Sequence, residues 1–268
     1  MKFAVARLML ITLCLLLSHP IQAARNIAFQ HLTTQDGLSH SGITDIVQDK
    51  FGFMWISTQE GLNRYDGYEV VSYEHDYREA RSLSDDWVWS LCIDDNNNVW
   101  VGTNNGGLDY FDRATNSFYN WRHDPQDPAS LSSNDVRIVF LDSRKRLWVG
   151  TRGGGLNLKR KDGLGFDKYP LNDRQGAAVT DSITEIFEDD AGRIWIGTEN
   201  GLVLIDPVSN HLTLYQHDAA NPNSLSDSHV RVIASHRDEL WVGTQNGGLN
   251  RFNPATGVFQ RYPVDVGN

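Results

Sequence analysis

Trp100-Val-Gly-Thr-Asn-Asn-Gly-Gly-Leu108 is the stretch of sequence that decides the fold, because its first four residues return in closely similar form in four other places. The related segments are Trp55-Ile-Ser-Thr58, Trp148-Val-Gly-Thr151, Trp195-Ile-Gly-Thr198 and Trp241-Val-Gly-Thr244. Successive tryptophans are 45, 48, 47 and 46 residues apart. A repeat of this length with several strand-like runs is typical of a β-propeller, in which each repeat forms one four-stranded blade.

The second repeat shows the four strands most plainly. Apolar runs at 88–93, 99–103, 108–112 and 118–122 predict strands A to D, numbered from the centre of the ring outward. The turn Asn104-Asn105-Gly106-Gly107 between strands B and C has the composition of a tight hairpin with positive φ. Packing between neighbouring blades best explains the recurring tryptophans, and a carbohydrate platform is the alternative. Aligning all repeats predicts an all-β fold with five propeller blades within 43–268, at about 43–76, 88–122, 136–169, 183–216 and 230–262.

The N-terminal residues 24–42 are predicted to form an outer strand and its outgoing loop. Phe29-Gln-His-Leu32 followed by Asp36-Gly-Leu-Ser39 resembles the end of a repeat, although no strand A, B or C precedes it. Propellers often close when an N-terminal strand completes the last blade. Here the last repeat already has its own outer strand at 258–262. The sequence therefore predicts an unfinished ring, with a self-closed five-bladed ring as the alternative.

Residues 1–23 are predicted to be a secretory signal peptide. Lys2 and Arg7 precede an apolar run of ten residues, Leu8–Leu17, and Ile21-Gln-Ala23 offers a small residue for cleavage. Ten apolar residues are too few to span a bilayer as a helix. The sequence therefore predicts export, and an uncleaved N-terminal anchor is the alternative.

The charge of the remaining chain narrows its partners. Without residues 1–23 it has 22 basic and 34 acidic residues. This excess of negative charge repels nucleic acids and anionic membranes, so neither is expected to bind directly. Cys92 is the only cysteine after residue 23, which excludes a disulfide framework.

The repeats resemble the two-component regulator propeller repeat, which builds the exported sensor region of bacterial hybrid histidine kinases and related receptors. The resemblance covers residues 29–262 and rests on the segments 29–39, 49–58, 61–67, 100–108 and 241–249. It implies an incomplete seven-bladed ring in the periplasm, as part of a receptor in the inner membrane. The expected partners include downstream signalling modules of the same parent protein. Kinase or diguanylate cyclase activity would lie in such a module and not in this chain.

The third repeat departs from the pattern in two turns. After strand C it reads Leu156-Asn-Leu-Lys-Arg-Lys161, without the Asp that the second repeat has there. Its turn between strands A and B, Ser143-Arg-Lys-Arg146, is basic instead of acidic or glycine-bearing.

Paired acids raise the question of glycosidase or lyase chemistry, which uses two carboxylates. The pairs Asp85-Asp86, Asp94-Asp95 and Asp189-Asp190 all fall in turns or loops, where aspartate accepts backbone hydrogen bonds. Adjacent residues on an extended chain also face opposite sides. No phosphate loop, nucleophile elbow or zinc spacing is present, so we predict no catalytic residue, no metal site and no cofactor.

Two further sequence features are compatible with metal binding but favour a structural role. Asp94-Asp-Asn-Asn-Asn98 resembles the start of a calcium loop but has Val99 where an EF-hand requires glycine. His75-Asp76, His123-Asp124 and His217-Asp218 recur at blade spacing. We interpret the His-Asp pairs as turn caps.

Residues that differ between blades at matched positions are the candidates for ligand binding. Near the start of strand A the odd residues are Trp87, Trp89, Arg137, His229 and Arg231. The turns between strands B and C add polar candidates on the same face, namely Asn104, Asn105, Arg152, Glu199, Asn200 and Asn246. Tryptophan can stack on a sugar ring and arginine can pair with anionic substituents.

Together with the family resemblance, these residues imply a sensor that binds an extracellular small molecule or oligosaccharide at this face. The alternatives are a polysaccharide lyase or glycoside hydrolase propeller, and a passive protein-interaction scaffold. The same residues could also merely line a water-filled channel. A homodimer is a further arrangement that the sequence leaves open.

Overall fold

The computed structural model describes residues 29–171, 180–206 and 211–262, and these form twenty strands in five four-stranded antiparallel sheets. The first blade contains β1 (Ile43–Gln48), β2 (Met54–Thr58), β3 (Gly61–Tyr65) and β4 (Val70–Tyr73). The second contains β5 (Val88–Ile93), β6 (Val99–Thr103), β7 (Leu108–Asp112) and β8 (Ser117–Trp121). The third contains β9 (Val136–Leu141), β10 (Leu147–Thr151), β11 (Gly155–Lys159) and β12 (Phe166–Tyr169). The fourth contains β13 (Ile183–Glu188), β14 (Ile194–Thr198), β15 (Gly201–Ile205) and β16 (Leu212–Tyr215). The fifth contains β17 (Val230–His236), β18 (Glu239–Thr244), β19 (Leu249–Asn253) and β20 (Val258–Tyr262).

The predicted all-β propeller with five four-stranded blades is confirmed. Within each blade the strands neighbour one another in chain order, so that every connection is a hairpin. The five inner strands begin at the residues that the sequence predicted. They pack side by side around a common centre, β1 on β5, β5 on β9, β9 on β13 and β13 on β17.

The apolar core lies between neighbouring blades. Trp55 packs with residues of the second blade, Trp100 with the third, Trp148 with the fourth and Trp195 with the fifth. Three of these indoles are completely buried, and Trp100 is 9% exposed. Trp241 of the fifth blade is less buried than these four. The structure therefore assigns the recurring tryptophan to packing between blades.

A buried aspartate holds the indole in three blades. Asp49, Asp142 and Asp189 accept a hydrogen bond from the Nε1 of Trp55, Trp148 and Trp195, at 3.1, 2.9 and 2.7 Å. Arg146 and Arg193 form ion pairs with the aspartates of their own blades. The first blade has Phe53 at the matched position, and Arg113 of the second blade takes over the ion pair with Asp49. Burial raises the pKa of Asp49, but hydrogen bonds from Trp55, Arg113 and the turn outweigh it and hold the pKa below its ordinary value.

The loops between blades repeat a set of hydrogen bonds. The Nδ1 atoms of His75, His123 and His217 lie 2.7, 2.6 and 2.8 Å from the carbonyl oxygens of leucines eight residues later. The aspartate after each histidine accepts a hydrogen bond from the backbone two residues further along. The interpretation of the His-Asp pairs as turn caps is confirmed.

Polar side chains of the inner strands link the first blade to the second, the second to the third and the fourth to the fifth. A side chain of the earlier blade bonds to the backbone of the later one in every case. The bonds are Thr44 Oγ1 to Val88 O (2.6 Å), Leu91 N to Asp45 Oδ2 (2.8 Å), Val139 N to Ser90 Oγ (3.1 Å) and Thr184 Oγ1 to Val230 O (2.8 Å).

The ring of described blades is open. Among the described residues, β17 does not pack against β1 in the way that the other neighbouring inner strands pack against one another. Ile43 and Ile46 of β1 are 41% and 52% exposed, and Val232 of β17 is 50% exposed. These are inner-strand side chains that a neighbouring blade would cover.

The N-terminal part of the described chain contains one short helix. Residues 29–32 are not in a strand. The segment predicted to close the ring, 24–42, includes residues outside the described ranges, so the closing strand stays a prediction. A 3-10 helix at Thr34–Asp36 follows, with a capping box between Thr33 and Asp36. The predicted signal peptide lies outside the described residues. Within the described ranges, no helix is long and apolar enough to cross a membrane.

Candidate binding site

The five inner strands surround a central cavity of about 880 Å³. Each inner strand has an irregular register near its start, where one residue lacks a partner on the second strand of the blade. The residues at these bulges are Thr44, Trp89, Arg137, Thr184 and Arg231, and all of them line the cavity. A β-bulge redirects a side chain and frees it from the sheet. The fold therefore provides one variable position per blade, pointed at the cavity.

Trp89 and Arg137 form a stacked pair across the second and third blades. The Arg137 Cζ lies 4.0 Å from the centroid of the Trp89 ring. Asn104 Oδ1 accepts a hydrogen bond from Trp89 Nε1 at 3.2 Å, which fixes the indole. Arg137 is held by Asp135 through an ion pair of 2.7 Å. Trp87 packs against Trp89, with the two ring centroids 5.1 Å apart.

Four further candidates from the sequence line the same cavity: Arg152, Glu199, His229 and Arg231. The Arg231 Nε donates a hydrogen bond to the side chain of Gln245. The Nε2 atom of His229 is buried and has no hydrogen-bond partner in the described part of the chain. The cavity thus brings together arginines from the third and fifth blades and an indole from the second.

The other candidates lie outside the cavity lining. Trp87 packs against the Trp89 ring, and Asn104 accepts a hydrogen bond from the Trp89 indole. The Asn104 backbone N also donates to the Trp87 carbonyl oxygen at 2.9 Å. Asn105, Asn200 and Asn246 are exposed in the turns between the second and third strands of their blades. Their contacts are local, with Arg122, Gln216 and Asp227 respectively.

Two acidic residues in the cavity were missed from the sequence. Asp45 and Glu185 lie on the inner strands of the first and fourth blades, one residue after the bulge. Burial raises the pKa of both carboxyl groups, that of Glu185 to about 7, and the charge of Asp45 adds to the shift at Glu185. The matched series Asp45, Ser90, Ile138, Glu185 and Val232 contains the signal, because two acids stand out among small or apolar residues.

The two acids have different surroundings. Asp45 accepts hydrogen bonds from the backbone N of Leu91 and of Ile46, both at 2.8 Å, so it helps to join the first two blades. Within the described ranges, the Glu185 carboxylate accepts one hydrogen bond, from the backbone N of Ile186 at 3.1 Å. Because its pKa lies near neutrality, Glu185 takes up a proton as the pH falls below about 7.

Fold and site together define a β-propeller whose blades share one scaffold and whose central cavity is lined by residues that differ from blade to blade. The family model of the two component regulator propeller matches residues 37–60, 82–105, 130–153 and 179–200. The chain belongs to the two component regulator propeller family, as the resemblance of its repeats implied.

This chain spans only part of the length of the relatives described below. A protein of Formosa agariphila called histidine kinase P4 is 37% identical over 231 residues, which cover 84% of this chain and 16% of that protein. Two solved structures share the fold at low sequence identity. One is the extracellular domain of B. thetaiotaomicron BT4673, assigned to a one component system, with 20% identity, a TM-score of 0.65, and 84% and 29% of the two chains covered. The other is PorZ, a surface component of the type-IX secretion system of Porphyromonas gingivalis, with 15% identity, a TM-score of 0.64, and 84% and 34% covered.

Proposed function

We propose that this chain is the ligand-sensing propeller region of an exported receptor of the two-component type, and that its central cavity binds an extracellular small molecule or oligosaccharide. The observation that carries the proposal is the Trp89–Arg137 pair at two neighbouring bulges, facing a cavity of about 880 Å³. This volume is within the range of small-molecule sites.

The cavity has the chemistry for a sugar that carries an anionic group. The face of an indole packs against the apolar face of a sugar ring, and Arg137, Arg152 and Arg231 supply planar donors for carboxylate or sulfate. Asp135 already orients Arg137, which lowers the entropy lost when a ligand binds.

We further propose that the chain acts without catalysis. Asp94 and Asp189, from two of the paired acids, accept backbone hydrogen bonds that close turns at the opposite ends of the strands from the cavity mouth. Signalling activity would belong to other parts of a longer parent protein, in line with the 16% of the kinase relative that this chain covers. A ligand that bridges the second and third blades would change their packing, and the parent protein would transmit that change.

The test is binding of neutral and uronate-containing oligosaccharides, measured by thermal shift and isothermal titration calorimetry. We expect at least one uronate-containing oligosaccharide to stabilise the chain, and Trp89→Ala and Arg137→Ala each to weaken its binding by about tenfold or more. The matched control is Arg81→Ala with Tyr119→Ala, which removes a similar cation–π pair (5.5 Å) from the outer part of the second blade.

The outcomes separate the competing functions. Equal loss of binding in the control would contradict the proposed site. Release of shorter products from a polysaccharide would contradict the non-catalytic role. Failure of the whole panel to bind, beside capture of a protein partner, would favour the scaffold.

A further inference from the structure

The two basic turns of the third blade lie beside one another. The β9–β10 turn carries Arg144, Lys145 and Arg146, and the end of β11 with the segment after it carries Lys159, Arg160 and Lys161. These six residues are a quarter of the 24 lysines and arginines in the chain, whose formal net charge is −10. Both turns lie at the ends of the strands opposite the bulge of the inner strand β9.

A separate cavity of about 370 Å³ opens between these turns and the second blade. We call it the basic cleft. Its inner wall is apolar and consists of Trp100, Leu141, Leu147 and Leu158. Its rim carries five of the six basic residues, namely Lys145, Arg146, Lys159, Arg160 and Lys161, together with Asp94 and Asp95.

Lys159 is the residue whose position is most unusual. Its Nζ lies 4.2 Å from the ring centroid of Trp121, 5.0 Å from Phe166 and 5.6 Å from Trp100. It donates one recorded hydrogen bond, a long one of 3.3 Å to the Gly163 carbonyl oxygen, although an ammonium group has three donors. Burial lowers the pKa of this amine, so an anion placed beside it would stabilise its charged form.

Lys145 occupies a backbone conformation that lysine seldom adopts. Its φ is 63°, in the left-handed region where the first, second and fourth blades have Gly52, Asn97 and Gly192. Its ion pair with Asp95 is more than half exposed on both sides, and exposed pairs contribute little to stability. Fold stability therefore does not account for lysine here, and strained residues of this kind cluster at functional sites.

The acidic residues near the cleft leave a positive balance. Asp95 is paired with Lys145, and Asp94 accepts hydrogen bonds from Tyr110 and from the backbone N of Asn98. Lys161 has no recorded ion pair in the described part of the chain. Arg146 is paired with Asp142 and Arg160 with Asp167. Lys159 has no recorded ion pair in the described ranges, although the charge of Asp162 acts on its amine, so Lys159 and Lys161 carry the positive charge that remains at the rim.

We propose that the basic cleft is a second binding site, which takes a small organic anion with an apolar body, such as an aromatic or aliphatic carboxylate, sulfate or phosphate ester. The apolar body would lie against Leu141, Leu158 and the edge of Trp100. The anionic group would lie between Lys159 and Lys161, and would compete with Asp95 for Lys145. This site is independent of the central cavity and of the function proposed for it.

The test uses three probes with the full-length chain in isothermal titration calorimetry. Naphthalene-2-sulfonate has both an apolar body and a charge, naphthalene-2-methanol has only the body, and inorganic phosphate has only the charge. We expect the sulfonate to bind saturably and the other two to bind about tenfold or more weakly. The Lys159→Gln/Lys161→Gln variant should lower the affinity for the sulfonate by about tenfold or more.

Two control variants locate the site. Lys168→Gln removes an exposed charge of the same blade outside the cleft and should leave binding unchanged. Trp89→Ala alters the central cavity and should also leave sulfonate binding unchanged. The proposal is overturned if the sulfonate does not saturate, if the double variant binds it as well as the original chain does, or if Trp89→Ala abolishes binding. Unchanged far-ultraviolet circular dichroism of the double variant ensures that a loss of affinity reflects the site.

Discussion

Replacement of Asp109 by asparagine should stabilise the protein at neutral pH. Asp109 on β7 is completely buried and accepts hydrogen bonds from Ser84 N (3.0 Å), Ser84 Oγ (2.6 Å) and Asn120 Nδ2 (3.0 Å). Three other blades have asparagine at this position, and each asparagine Oδ1 accepts from the serine of the preceding loop. Asp109→Asn therefore places in the second blade the residue that a serine at the matched position already holds in three other blades, although Asn120, which donates to Asp109, is particular to the second blade.

The expected magnitude follows from the pKa of the carboxyl group. Burial raises the pKa of Asp109 from 3.8 to about 6, against the opposing effect of its hydrogen bonds. A group whose pKa is raised by folding stabilises the fold below its unfolded pKa, and this contribution is lost as the pH rises through the folded pKa. A shift of about two units corresponds to about 3 kcal/mol. The Asp109→Asn variant should match the original chain near pH 4 and exceed its free energy of unfolding by about 2–3 kcal/mol at pH 7.

The assay is urea unfolding of both proteins at intervals between pH 4 and pH 8. Other groups, Glu185 among them, titrate in this range, so the difference between the two proteins is the quantity to follow. The reverse substitution Asn157→Asp in the third blade is the matched control, because Asn157 Oδ1 also accepts from the backbone N of its loop serine, Ser132, while its Nδ2 donates to the serine hydroxyl. It should destabilise the protein at pH 7 and less so at pH 4. A stability difference that is the same at pH 4 and pH 7 would refute the reasoning.

Three further predictions concern other parts of the scaffold. Burial raises the pKa of the Cys92 thiol to about 11, so iodoacetamide at pH 8 should modify it only in urea, and rapid labelling of the native chain would contradict this. Gly106→Ala would place a Cβ 2.1 Å from Ser84 Oγ and should lower the free energy of unfolding in urea by about 1–3 kcal/mol. Arg113→Ala should destabilise the chain by about 3 kcal/mol, because buried Asp49 loses its cation. Adding Phe53→Arg to this variant should restore part of the lost free energy of unfolding. No recovery in urea unfolding would contradict the idea that Arg113 replaces an arginine of the first blade as the partner of Asp49.

The repeats made most of the scaffold predictable. Five copies of one pattern set the same residues at matched positions, so the starts of the inner strands and the role of the tryptophans followed from alignment alone. The separate roles of the two glycines in the turn between strands B and C were not predicted. Gly107 has the positive φ (90°), while Gly106 is required because the Ser84 hydroxyl lies where its side chain would be. A contact between separate segments has no signal in the local sequence.

The candidate site was only partly visible for the same reason. Trp89, Arg137 and Arg231 stood out as odd residues at a matched position, but the bulge that turns them into the cavity depends on the pairing of two strands. Asn104 looked like a ligand contact, yet it holds the indole of Trp89. The matched series marks Glu185 as an odd residue, but its raised pKa depends on its burial in the folded protein, which the sequence around it does not record.

The hydrogen bonds that join the inner strands give the assembly a direction. Thr44, Asp45, Ser90 and Thr184 each reach from an earlier blade to the backbone of the next one. A blade is made of consecutive residues, so it can form its sheet as soon as its own segment has left the ribosome. Its polar side chains are then in place before the next inner strand arrives. At these three junctions, growth from the N-terminal blade onward would therefore suit the order of synthesis, as in other arrays where each unit contacts only its neighbours.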